Sequence, residues 1–271
     1  LKNSKKEIKT AIQNNTLRDK LTKLKKDPTD FKSLFFVMRS YYNNNEFNEC
    51  IKYAKKILEI EDNLDAMRFI GKCHKNLGNL QLSSEQNLKT IKNFPEDKET
   101  LFMLSRINFT TENYTNCIKY AKKILETEED NLEAMRLIAR SYKKLNKNKK
   151  TEEKYLEIAK KHPKNIKSLQ EFSRIYYNNE EYEKCIEISK NILKIDEKEI
   201  TALRLIARAN NNLGKLEDSL KYYLCILELN PTDIDTFSII IRNYHKMNDF
   251  QNVLLYSEKL LLFEKKNKFG L

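Results

Sequence analysis

The sequence predicts an all-α chain of stacked helix pairs, and three observations carry that reading: helix breakers are scarce, a long period repeats, and apolar residues fall three or four apart within it. Only four Gly and four Pro occur in 271 residues, and Trp is absent. Tight hairpins and phosphate-cradling glycine loops therefore lack material, and helices are favoured throughout. The four prolines, Pro28, Pro95, Pro163 and Pro231, stand 67, 68 and 68 residues apart. Cys50, Cys117 and Cys185 repeat at the same interval inside near-copies that begin NECIKYAKKILE, TNCIKYAKKILE and EKCIEISKNILK. A block of 68 residues has been duplicated.

Each block divides into two repeats of 34, with starts at 31, 64, 98, 132, 166, 200 and 234; positions below are counted from these starts. Within a repeat the apolar spacing is that of one face of a helix, with a break near position 15 separating two helices. Gly78 and Gly214 mark that break. In the third repeat the helices are expected at about 99–111 and 115–127, with Pro95 closing the repeat before, and the whole chain at more than about 70% helix. Residues 1–30 read as a lysine-rich capping helix pair with Leu17, Leu21 and Leu24 as its apolar spacing. Residues 31–264 hold the seven repeats, and 265–271 form a short tail that reads as truncated. The last helix carries Leu254, Leu255, Leu260, Leu261, Leu262 and Phe263 with no polar cap after it, which predicts either a continuing chain or self-association through that end.

Position 4 reads Leu34, Met67, Leu101, Met135, Leu169, Leu203 and Phe237, and position 7 reads Val37, Ile70, Leu104, Ile138, Phe172, Ile206 and Ile240. Position 8 is small in Gly71, Ser105, Ala139, Ser173 and Ala207, with Met38 and Ile241 departing from it. Tyr41, Tyr142, Tyr176 and Tyr244 recur at position 11, where His74, Asn108 and Asn210 stand instead. In these residues and in its period the chain resembles the tetratricopeptide-repeat (TPR) family over about residues 31–264. The resemblance implies a right-handed superhelical solenoid of helix-turn-helix repeats, acting as a protein-interaction scaffold.

Composition narrows the alternatives. The net charge of +12 favours an acidic partner. Five cysteines, none in a CxxC pair, argue against a disulfide framework or a zinc site and for a reducing compartment, the cytoplasm. Cys50, Cys117 and Cys185, at position 20, take the place of a small buried residue. His74, His162 and His245 lie in different repeats without metal-ligand neighbours, and no nucleophile elbow, glycine-rich phosphate loop or HExxH helix occurs. Neither catalysis, nor a cofactor or metal, nor a membrane span is expected.

The resemblance further implies that the first helix of each repeat lines a concave groove, with positions 2, 5, 9 and 12 pointing into it. Position 9 carries Arg39, Lys72, Arg106, Arg140, Arg174, Arg208 and Arg242, and position 5 adds Arg68, Arg136 and Arg204. Only ten of the 51 basic residues are arginine, and nine of those ten occupy these two positions, Arg18 being the exception. A general taste for basic residues would have placed lysine there. Guanidinium is a planar fork that grips carboxylate, phosphate or sulfate with two hydrogen bonds, whereas ammonium is a point charge. Tyr42, Phe109 and Tyr177 at position 12 interleave aromatic rings with the cations, while Phe35 and Phe102 at position 5 divide between groove and core.

Two readings of the cations stay open. They form a groove for an anionic partner, or they pair with the position 2 acids Asp65, Glu99, Glu133 and Asp235 as an internal ladder. The leading function is a scaffold binding an acidic protein or peptide segment. The alternatives are the recognition arm of a larger glycosyltransferase or sulfotransferase, and a single-stranded RNA binder using cations and stacked rings. No RNA-specific motif accompanies the rings.

Overall fold

The computed structural model of the chain describes residues 16–269, and side chains as far as residue 262. Among these residues there are fifteen helices and no strand, with 80% of the backbone helical. Helix α1 covers 16–26. The first helices of the seven repeats are α2 (Phe31–Asn43), α4 (Leu64–Asn76), α6 (Lys98–Thr110), α8 (Leu132–Lys144), α10 (Ile166–Asn178), α12 (Ile200–Asn212) and α14 (Ile234–Lys246). The second helices are α3 (Phe47–Ile60), α5 (Leu80–Asn93), α7 (Tyr114–Thr127), α9 (Asn148–Lys161), α11 (Tyr182–Leu193), α13 (Leu216–Leu229) and α15 (Phe250–Phe269). Every first helix begins on the repeat start read from the sequence, and the third-repeat helices fall within a residue of expectation.

Side-chain caps explain the starts. Asp30, Asn63, Asp97, Asn131, Asn165, Glu199 and Asp233 each accept a backbone N–H of the first turn of the first helix that follows. The break inside each repeat is equally regular. Position 15 is left-handed in all seven repeats, at Asn45, Gly78, Glu112, Asn146, Glu180, Gly214 and Asn248. In the first, second, fifth, sixth and seventh repeats the residue after it returns its N–H to a carbonyl five residues back, as Glu46 does to Tyr41, Asn79 to His74 and Lys215 to Asn210. This closure ends a helix at a residue with positive φ, for which Gly and Asn are suited. Glu112 and Glu180 pay a steric cost there that glycine avoids.

The core is the set of positions that the period picks out. All seven residues of position 4 and all seven of position 7 are buried. Cys50, Cys117 and Cys185 are fully buried small residues, and all five cysteines are unpaired thiols. Met38, a departure from the small residue at position 8, is fully buried in the same cluster as Ala54 at position 24. These two positions meet directly elsewhere, where the Ser173 and Ser189 hydroxyls hydrogen-bond. A large residue on one helix is thus matched by a small one on the other.

The chain forms two compact units, Leu1–Asn146 and Lys147–Leu271. In the first, Leu24 of α1 is buried with Leu17 and Leu21 packed against the same cluster. The other member of the expected capping pair lies outside the described residues. In the second, α9 buries only Thr151, Tyr155 and Ile158. At the far end α15 exposes Phe250, Leu254, Leu255, Leu261 and Leu262, while Leu260 is half-buried. Among the described residues no helix is long and apolar enough to cross a membrane.

The caps make stability acid-sensitive. The Ser33 hydrogen bonds, followed by Lys23, hold the Asp30 carboxyl at about 2. Burial pushes Asp97 and Asp233 up, but Arg68 and Thr100 for the first, and Thr236 and Arg204 for the second, outweigh it and bring both below the usual range. Asn252 lowers Asp249, which caps α15. A carboxyl depressed on folding stabilises above its unfolded value, about 3.9, and loses that contribution as pH falls through the folded value. The urea midpoint is expected to hold from pH 7 to about 4.5 and to fall between about 4 and 2. Asp→Asn at all four caps should flatten that fall, and an unchanged profile would rule the caps out as its source.

Candidate functional site: the first-helix face

In the first unit three of the four position 9 cations are paired along the ladder. Arg39 Nη2 meets Asp65 at 3.3 Å, Lys72 Nζ meets Glu99 at 2.6 Å, and Arg106 Nε donates to Glu133 Oε1 at 2.9 Å. Each cation reaches position 2 of the next repeat, so these side chains do lie where successive first helices adjoin. The Arg39 and Arg106 pairs are about half exposed, and exposed pairs contribute about 0–1 kcal/mol each. Their effect is to neutralise the face more than to stabilise it.

Two of the three position 5 arginines are built into the scaffold. Arg68 Nε donates to Asp97 Oδ2 at 2.9 Å, Nη2 donates to the other oxygen of that carboxylate, and Nη1 approaches Asp65 and Glu99 at 3.5 and 3.4 Å. Arg204 Nη2 meets Asp233 at 2.6 Å. Both carboxylates are N-caps of the following first helix. Sequence reasoning counted only position 2 acids as partners and missed these; the signal was an Asp directly before a repeat start. Arg136 is half-buried and engaged.

The remaining cations are different. Arg140 lies 4.7 Å over the Phe109 ring and, among the described residues, makes no carboxylate pair. In the second unit Arg174, Arg208 and Arg242 are exposed, and among the described residues no carboxylate lies within ion-pair distance of any of them. Asp235, at position 2 of the last repeat, makes no pair with Arg208. The seven cations of position 9 thus divide into three neutralised and four free of acids.

The aromatic residues have a second task. Tyr42, Phe109 and Tyr177 pack edge-on against Phe47, Tyr114 and Tyr182, the first residues of the second helices, at 5.8, 5.5 and 5.6 Å between ring centres. All three are half-buried. Asn76 donates to the Tyr42 hydroxyl at 3.4 Å and Asn212 to that of Tyr177 at 3.0 Å, joining neighbouring first helices. Other rings of the first helices carry the protein's own cations on their faces: Arg39 over Phe35 at 4.7 Å, Lys72 over Phe69 at 5.3 Å, Arg106 over Phe102 at 6.0 Å. Between the first helices of the first unit lie two clefts of about 490 and 320 Å³. They share Lys75, Arg106 and Glu133, with Phe102 and Met103 in one and Phe109 and Leu137 in the other.

Other chemistry is sparse. His74 is half-buried, and burial followed by Lys55 lowers its pKa. Among the described residues no group of three or more His, Cys, Asp or Glu is placed to hold a metal ion.

No family model matches the sequence, and no curated protein matches it. Solved structures do. The C-terminal part of a TPR repeat-containing protein from Cytophaga hutchinsonii superposes with a TM-score of 0.71 at 13% identity, covering 85% of this chain and 95% of that one. MamA protein matches with a TM-score of 0.57 at 15% identity, over 65% of this chain and 97% of that one. A chain of the structure of Naa15/Naa10 bound to HypK-THB matches with a TM-score of 0.56 at 15% identity, over 88% of this chain but 38% of that one. At these identities the likeness is one of fold: the chain has the tetratricopeptide-repeat fold.

Proposed function

We propose that the chain is a protein-interaction scaffold, not a catalyst, that takes an acidic partner segment on the face of its first helices. The observation that carries this is the set of exposed arginines without acids, Arg174, Arg208 and Arg242, in consecutive repeats of one unit. An arginine held in a ladder is satisfied; three free ones at one helical position offer forked donors to carboxylates arriving from outside. Protein is favoured over single-stranded RNA because rings that bases would stack on are covered by the chain's own cations or packed edge-on against the second helices. Five unpaired thiols support a reducing compartment.

The test is charge reversal. Arg174→Glu, Arg208→Glu and Arg242→Glu together should leave circular dichroism unchanged, since exposed substitutions cost about 0.5 kcal/mol or less each. Binding of a fluorescein-labelled glutamate-rich peptide should weaken at least tenfold. Wild-type binding should fall steeply with salt, whose screening length is about 10 Å at 0.1 M. Reversal of the exposed lysines Lys55, Lys122 and Lys190, all on second helices, is the control. A folded arginine variant that binds as well as wild type would place the partner elsewhere.

A further inference from the structure

The free arginines of the second unit carry spacing as well as charge. We propose that Arg174, Arg208 and Arg242 read acidic side chains placed at every third residue of a partner segment in polyproline II-like extension; this rests on the acidic-segment reading above.

Each arginine holds position 9 of its helix, in α10, α12 and α14. Helices α10 and α12 pack directly on one another, and Asn212 ties them by donating to the Tyr177 hydroxyl. Helix α12 is tied to α14 by Asn211 Nδ2 donating to Asn243 Oδ1 at 2.8 Å and by the Arg204–Asp233 pair. The face is therefore a fixed lattice and not a set of loose arms. Packed helices stand about 8–10 Å apart, axis to axis; with that spacing for α10 and α12, and the same spacing taken for α12 and α14 across their side-chain bonds, one position on successive first helices recurs at about that interval.

That interval selects among partner conformations. A polyproline II segment has three residues per turn and advances about 3.1 Å per residue, so residues i, i+3 and i+6 share a face at about 9 Å. A β-strand puts same-face side chains about 6.6 or 13 Å apart, too short or too long. A helix reaches about 10 Å only with acids seven residues apart, and engaging three arginines then takes about fifteen ordered residues. A helix of that length is marginal in water, so its ordering opposes binding. The extended segment engages all three with seven residues and little ordering.

The test uses the full chain and synthetic labelled peptides of equal composition, three glutamates in a proline- and alanine-rich background, spaced two, three or four residues apart. A helical peptide with glutamates seven apart completes the set. Fluorescence anisotropy at low and moderate salt should rank the three-apart peptide tightest by at least fivefold. That preference should vanish in the Arg174→Gln, Arg208→Gln, Arg242→Gln variant, which removes charge without introducing repulsion. Equal affinity at every spacing would overturn the register and leave the acidic-segment reading standing as diffuse attraction. A preference for two-, four- or seven-residue spacing would overturn the register too. If none of the acidic peptides binds, both readings fail.

Discussion

Arg68→Ala is expected to destabilise the fold by about 3 kcal/mol, near the low end for removing one partner of a buried ion pair. The Asp97 side chain is 4% exposed and Arg68 23% exposed, so truncation strands a desolvated carboxylate, leaving it the Thr100 backbone N–H and hydroxyl. Asp97→Asn keeps an acceptor for the cap and removes the charge. The double variant should therefore recover about half of the loss, and urea denaturation at pH 7 measures both. The pH dependence provides an internal check. In the variant, burial without Arg68 raises the Asp97 pKa, so the carboxylate protonates sooner on acidification and the gap to wild type narrows below about pH 5. A gap that stays constant with pH would mean that lost packing, not the stranded charge, is the cause. Arg68 is one of the residues that sequence pattern assigns to the groove, and this result would move it to the scaffold.

The second large effect is at Gly71. A Cβ there would sit 2.6 Å from Asn87 Oδ1, and Asn87 is fully buried, with its Nδ2 held to the Ser83 carbonyl at 2.8 Å. Gly71→Ala must push that amide off its partner, at the cost of about 1–3 kcal/mol for an orphaned buried group and as much for overpacking. Better helix propensity returns about 1 kcal/mol, leaving a net loss of about 2 kcal/mol. Adding Asn87→Ala removes the obstacle together with an Oδ1 that has no hydrogen-bond partner. The double variant should then stand within about 1 kcal/mol of wild type. If the single variant is as stable as wild type, the pairing of positions 8 and 24 does not constrain the core.

The fold was open to reading because periodic burial is written in residue type. Leu34, Ile70, Leu104 and their equivalents are apolar wherever the core needs them, and Asp or Asn precedes most first helices. The left-handed turn was visible only at Gly78 and Gly214; Glu112 and Glu180 adopt the same backbone, held by helix-end hydrogen bonds against their own preference. The site was half legible. Nine arginines at two positions identify a face, but which are free depends on acids one repeat away and on how far side chains reach. Asp97 and Asp233 engage Arg68 and Arg204 from the cap, while Asp235, at the expected position, does not engage Arg208.

The identical placement of the left-handed residue in every repeat bears on how such a chain can change length in evolution. One residue gained inside a helix turns everything beyond it by about 100° and carries the buried row out of the core. Gain or loss of a whole repeat leaves each turn in phase with its helices, so length changes in steps of 34. The chain contains one natural exception. The first repeat is a residue short, and the deficit falls between Ile60 and Leu64, where the link is three residues instead of the four between Asn93 and Lys98. The links between repeats can absorb such a slip, whereas the helices and the turn inside each repeat cannot.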